Sequence, residues 1–390
     1  MHVTRHDRPA PSASAGDQRP PRPTPSVAFR GRRIPVVLPK RGDPRLKLSA
    51  VIMTLQVLGQ TLLDFKVSIA QILVTIGFCA VVEVAVTLRR EAMLVWPASA
   101  MLTGNSVAFI LRASGTRHGD WWTLHGIQFF LLAASLSLLS KYLIRFGKGH
   151  LFNPSNVGIV WCLLVVGASH VFPQYLWWGP NRLGVALSYA VCLIGAAWIL
   201  RPIGMVPMAT AFLTTFAVLV GLLALAGRSF VAIWHDGPIS GLSYWSNVAL
   251  SPEVLVFVFF MISDPQTAPR SRTGRVVYGA STAALAAALL SFQSTEFGIK
   301  LAILSSLTVV CALVPFIERA TATRATVGAR APSRRALPAP AWNRVAAALR
   351  NPAVVAALII AVAAPVNTAA LAGDEEVLLI ERGLAGKNAQ

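Results

Sequence analysis

The sequence predicts an all-α polytopic membrane protein, on three observations. Hydrophobic residues make up 55% of the 390-residue chain, charged residues only 13%, and the mean hydropathy is +0.60. Over that length these values mean repeated apolar spans of about 20 residues rather than one soluble core. The third observation is where the charge lies: the net charge of +19 is carried by short Lys and Arg clusters between apolar stretches. That distribution follows the positive-inside rule and argues against nucleic acid as a partner. The lipid bilayer is the expected partner, and the cell membrane the expected location.

Residues 1–46 are rich in Pro, Arg and Ser without hydrophobic periodicity, so they are expected to form a disordered, basic cytoplasmic tail. The long charged region is not followed by a short apolar stretch and cleavage site, so it does not read as a signal peptide. A membrane core follows over 47–316. Spans are expected at about 48–64, 67–88, 92–111, 127–144 and 156–173, then at about 184–200, 205–226, 251–263, 276–292 and 298–316. A basic cytoplasmic linker over 317–350, an extra span over 351–372 and an acidic-then-basic outer tail over 373–390 complete the reading. With a cytoplasmic N-terminus, Arg89-Arg90, Lys141 to Lys148, Arg201 and Arg270 to Arg275 all fall inside, while Asp374 to Glu376 fall outside. Arg112 and Arg117, accompanied by Asp120, run against the rule.

Two sets of five spans, about 48–173 and 184–316, have opposite orientation because five is odd, as an inverted repeat requires. Each set holds a proline-started helix. Lys148 to Gly158 reads KGHLFNPSNVG, in which Asn153 is a good N-cap and Pro154 at the first helical position gives up only an N–H that had no partner. Ser251-Pro252-Glu253 opens a run of about a dozen residues that stops at Asp264-Pro265, too short to span. Helices that begin inside a bilayer are tolerated only where they face protein or a polar cavity, so both starts point to a buried site. The second would be fed by His235 to Asn247 dipping in from the outer face.

Among other polar residues, Gln56, Gln60 and Asp64 recur every four residues on one helix face, with Glu83 in the next span. They are candidates for an ion or proton path, and equally for a packed polar cluster. His150 is a candidate ligand contact or a structural loop histidine. Trp121-Trp122 and Trp177-Trp178 read as interfacial belt residues. Cys79, Cys162, Cys192 and Cys311 lie singly in apolar runs and suggest no metal site. No nucleophile or phosphate loop argues for a self-contained enzyme.

LFNPSNVG, SAMLTG at Ser99 to Gly104, and MISDPQTAP at Met261 to Pro269 followed by GRVVYGA resemble the D subunit of Rnf electron-transport complexes. They are also similar to the B subunit of the sodium-pumping NADH:quinone oxidoreductase. The runs GNSVAFILRASGTRHGDWW, FPQYLWWGP and ISDPQTAPRS resemble UnbU-type membrane proteins of enediyne antibiotic biosynthesis. The resemblance implies a ten-span fold related to urea transporters, a bound flavin (FMN or riboflavin), partner redox subunits, and electron transfer coupled in some members to ion movement. It places FMN attachment at Ser243, within Ser240-Gly241-Leu242-Ser243, where Leu242 and Ser243 stand for the family's Ala and Thr. It makes Asn153, Pro154, Asn156, Thr103, Gly104 and Asp264 further candidates for cofactor binding. Flavin-linked electron transfer in enediyne biosynthesis is thus the first expectation; a small-molecule channel or exporter without redox chemistry is the second, because broken helices serve both.

Overall fold

The computed structural model describes residues 25–29, 32–40, 42–146, 149–178 and 181–321. The linker, extra span and outer tail expected beyond 321 lie outside the described residues, as does most of the N-terminal tail. The described residues divide into two compact units, one comprising those within 25–38 and 84–96, the other those within 39–83 and 97–321.

The first unit holds a small sheet. Strands β1 (Ser26–Phe29) and β2 (Arg32–Val37) pair antiparallel, and β3 (Leu94–Val95) runs parallel to β2. This corrects the expectation that 1–46 is disordered throughout: Ile34, Val36 and Val37 are β-branched and favour a pleated strand.

The second unit is helical. The elements of the first set are α1 (Pro44–Thr61), α2 (Ile69–Glu91, whose last turns fall in the first unit), α3 (Ala98–Ile110), α4 (Ile127–Leu143) and α5 (Pro154–Val166). Strand β4 (Leu111–Ala113) follows α3, and the two-residue pair β5 (Arg145–Phe146) and β6 (Gly149–His150) leads into α5. Strand β7 (Val171–Pro173) pairs antiparallel with β4 and joins the ends of α3 and α5. The second set is α6 (Arg182–Ile203), α7 (Val206–Leu225), the hairpin β8 (Ser229–Phe230) and β9 (Ile239–Ser240), then α8 (Gly241–Ala249) and α9 (Pro252–Val256). A π-helical turn, Phe257–Met261, extends α9, and α10 (Arg272–Leu290) and α11 (Glu296–Thr321) close the set.

By length and composition, six segments of the described residues can cross a membrane: α2, α6, α7, α8 through the π turn, α10 and α11. The protein is multi-pass. α3 and α5 are shorter than expected, at 13 residues each. Pro97 precedes α3, and Gly167, at φ +79° after α5, ends the second helix. His235 to Asn247 forms the end of a hairpin and most of α8 rather than an irregular dip.

Two pairings recur in both sets, α4 on α5 as α10 on α11 and α1 against α3 as α6 against α9, while α1–α6 and α5–α11 join the sets. Close contact is made possible by glycine. A Cβ at Gly158 would land on Ser137 Oγ and the Ala133 carbonyl of α4, and one at Gly279 on the Met208 carbonyl of α7. Small residues at such crossings are how apolar helices associate where lipid removes the hydrophobic drive between them.

Candidate functional site

The sequence motifs meet in a cavity of about 380 Å³ where the starts of α1 and α5, the middle of α3, the end of α6 and the π turn converge. Each wall has a local cause. Asp43 caps α1, accepting from Arg45 N at 2.9 Å, with Pro44 at the first helical position. The same carboxylate takes Arg45 Nε at 3.0 Å and Nη2 at 2.6 Å, and this hydrogen-bonded guanidinium holds the Asp43 carboxyl below its ordinary pKa. Ser99, Thr103 and Ser106 of α3 line the cavity at helical spacing, and Thr103 Oγ1 bonds back to the Ser99 carbonyl at 3.0 Å.

Asn153 is the central residue of this wall. Its Oδ1 accepts from Asn156 N at 3.2 Å and Ser155 Oγ at 3.0 Å, while its Nδ2 donates to the Met261 carbonyl at 2.9 Å. The expected cap is therefore present, and it also ties the start of α5 to the end of the π turn. Asn156, fully buried, donates to the Leu304 carbonyl and Thr308 Oγ1 of α11, each at 2.9 Å. His150 Nε2 lies 3.0 Å from Asp264 Oδ2, and both residues line the cavity. Asp264 Oδ1 accepts from Gln266 N at 2.9 Å and its carbonyl from Ala268 N, so the DPQT turn presents the carboxylate rigidly.

The other candidates lie elsewhere. Gly104 lets α3 approach α2, since a Cβ there would press on the Thr75 carbonyl at 2.9 Å and on Cys79 Sγ at 3.0 Å. Ser240, Gly241 and Ser243 are exposed at the start of α8 and line no part of this cavity. Nor do the two proline-started helices converge: Asn153 meets Met261, which is the far end of the segment Pro252 begins. The polar residues of the first two helices are also dispersed. Glu83 is ion-paired to Lys141 at 2.6 Å; Asp64 sits exposed at φ +50°; Gln60 Nε2 donates to the Val67 carbonyl; Gln56 is buried in α1 with no amide partner.

A second polar centre went unread in the sequence. Arg112, Glu253, Glu296 and Lys300 are all at least nine-tenths buried. Arg112 is not a loop charge beside Asp120; it donates to Tyr175 Oη at 2.8 Å and the Pro173 carbonyl at 3.3 Å and stacks 3.9 Å from the Tyr175 ring. Glu296 accepts from Leu176 N and, at 2.9 Å, from Trp234 Nε1. Glu253, in the first turn of α9, lies 3.4 Å from Lys300 Nζ. A vestibule of about 310 Å³, walled by Phe65, Tyr175, Trp177, Trp178 and Trp234 with Asp64 and Lys66, adjoins this centre through Trp178 and Trp234. The legible signal was Glu296 and Lys300, four residues apart at the head of an apolar helix, where i and i+4 share a face. Trp177 and Trp178, read as belt residues, divide accordingly: Trp177 is 36% exposed, whereas Trp178 is 1% exposed and packs edge-on against Phe65 and Phe109.

Residues 168–327 match the NQR2, RnfD, RnfE family. The resemblance read from MISDPQTAP and GRVVYGA is thereby borne out, since both lie in the matched stretch. A curated relative from Stutzerimonas stutzeri, the D subunit of an ion-translocating oxidoreductase complex, is 26% identical over 185 residues, which are 45% of this chain and 46% of the relative. The chain thus spans about half the length of the curated relative it matches.

Proposed function

We propose that this protein is an integral-membrane subunit of a flavin-linked electron-transfer complex serving enediyne natural-product biosynthesis, with its N-terminus in the cytoplasm. The family match over 168–327, which includes the Ser240–Ser243 loop and the Asp264 turn, carries this reading. The relative's description as a subunit of a complex supports partner membrane subunits here. The enediyne setting rests on the resemblance of the GNSVAFILRASGTRHGDWW, FPQYLWWGP and ISDPQTAPRS runs.

The Ser240–Ser243 loop suits a phosphoester-linked flavin chemically. Ser240 precedes α8 without a side-chain cap bond, Gly241 turns the chain at φ +59°, and Ser243 is exposed in the first turn. Free N–H groups and the positive end of the helix would favour phosphate oxygens there. The flavin would supply one- or two-electron transfer, and the chain's own residues bind and orient it. The 380 Å³ cavity, lined by Asn153, Thr103 and His150 of the first helix set and Asp264 of the second, would hold a second ligand between the sets.

The test is expression with a flavin transferase, denaturation and in-gel fluorescence of wild type and Ser243→Ala. Fluorescence in wild type alone is the expected result. Fluorescence in both variants would exclude Ser243, and a native protein without flavin would favour the channel or exporter reading, to which the same cavity is suited.

A further inference from the structure

The small sheet of the first unit has no core beneath it: among residues 25–28, 33–38 and 84–96, none is buried. The register sets Val27 beside Ile34 and Val36 beside Leu94, and residues two apart on a strand share a face, so these four apolar side chains gather on one side. Trp96, whose N–H continues the ladder onto the Val37 carbonyl at 2.9 Å, is 49% exposed, and Val27 is 52% exposed. A three-stranded sheet becomes stable by packing such a face against something. The charges say what that is. Residues 25–38 and 84–96 contain Arg30, Arg32, Arg33, Arg89 and Arg90 against a single acid, Glu91, and Arg33, Arg89 and Arg90 are exposed. The unit also includes the last turns of α2, a helix long and apolar enough to cross a membrane, so the sheet is tethered where that helix leaves the bilayer.

We propose that the apolar side of this sheet is a docking surface for the headgroup layer of an anionic membrane, with Val27 and Trp96 inserted and the arginines on lipid phosphates. Each part suits that occupant. A tryptophan settles at headgroup depth, a guanidinium fork matches phosphate oxygens, and basic residues next to a membrane span are drawn to an anionic leaflet. An acidic protein surface would also satisfy the arginines, but it would have to be recruited from solution. The lipid surface is delivered by α2 itself, at a high effective concentration. The sheet is thereby a sensor of lipid charge at one end of a membrane helix. This holds whether or not the chain carries a flavin.

The four native cysteines are buried, so Val27→Cys gives the full chain one reactive thiol for a nitroxide label. The labelled protein is placed in lipid nanodiscs of phosphatidylcholine alone, or of equal parts phosphatidylcholine and phosphatidylglycerol. Collision rates with oxygen and with a neutral nickel chelate then report whether the label is embedded or in water. In the anionic discs it should be embedded, and in the neutral discs more exposed to water. Arg89→Gln together with Arg90→Gln should lower the embedded-to-exposed ratio in anionic discs, by about fivefold for each arginine. A label in water in both lipids would overturn the proposal. So would one shielded equally in both, which would mean that protein covers the face, or a ratio untouched by the arginine changes. Should that double variant not fold, salt decides: potassium chloride screens the arginines and must move the label toward water in anionic discs, while leaving it unchanged in neutral ones.

Discussion

Asn153 joins a helix cap to a bond between the two helix sets, and its removal separates these roles. Asn153→Ala should lower stability by about 2–4 kcal/mol, through the lost cap and the Met261 carbonyl left unpaired. Asn153→Asp keeps the cap oxygen, loses the donor, and should fall between; Pro154→Ala should be milder than either. Chemical or thermal unfolding in detergent checks the order, and an alanine variant as stable as wild type would contradict it. Asp43 gives a pH dependence. Its folded carboxyl is depressed by Arg45, so its contribution is fully present above the ordinary value of about 3.9 and is lost as pH falls through the lower folded value. The melting advantage of wild type over Asp43→Asn should therefore shrink in acid below that range; an advantage that grows there would refute the assignment. Asn153 was legible because capping is local chemistry. Arg112 was not, because what defines it is burial against residues distant in sequence, which no periodicity records.

At the scale of helices, glycine at the crossings is the discriminating feature. Gly158→Ala and Gly279→Ala should each cost about 1–3 kcal/mol, because the neighbours met are backbone carbonyls that cannot step aside. Gly77 in α2 meets nothing within 4 Å, so Gly77→Ala should be neutral or stabilising by up to about 1 kcal/mol. Equal melting of all three variants would remove the packing argument. The helix order was readable from apolar runs, and Ser251 does cap α9 through Val254 N at 3.2 Å. The lengths of α3 and α5 were not readable, since the apolar run continues past each into β4 and toward β7 while the helix stops. Composition cannot see that strands β4 and β7 pair with one another.

For the whole molecule, topology is the first measurement. Reporters placed at Gly204, between α6 and α7, and at His235, after α7, should fall on opposite faces, with Gly204 cytoplasmic. Both on one face would mean that α7 does not cross, and would undo the two-set arrangement. The loops that decide this were legible from their Arg and Lys. The inward orientation of Asp264 and His150 toward a shared cavity was not, because it depends on how one set docks on the other.

Asn153 and Asn156 have a mechanical meaning as well. Together they stitch α5 of the first set to the π turn and to α11 of the second, with three hydrogen bonds from nearly water-free side chains. A carrier that works by rocking its two halves against each other would have to tear and remake those stitches in every cycle, at about 1–3 kcal/mol for each group left bare. Travel is cheaper within a half, where five-residue α9 lies one π turn away from the nearest of those stitches, at Met261. Such a body is a stiff chassis with one soft spring, and whatever passes through it is expected to move the spring and leave the chassis still.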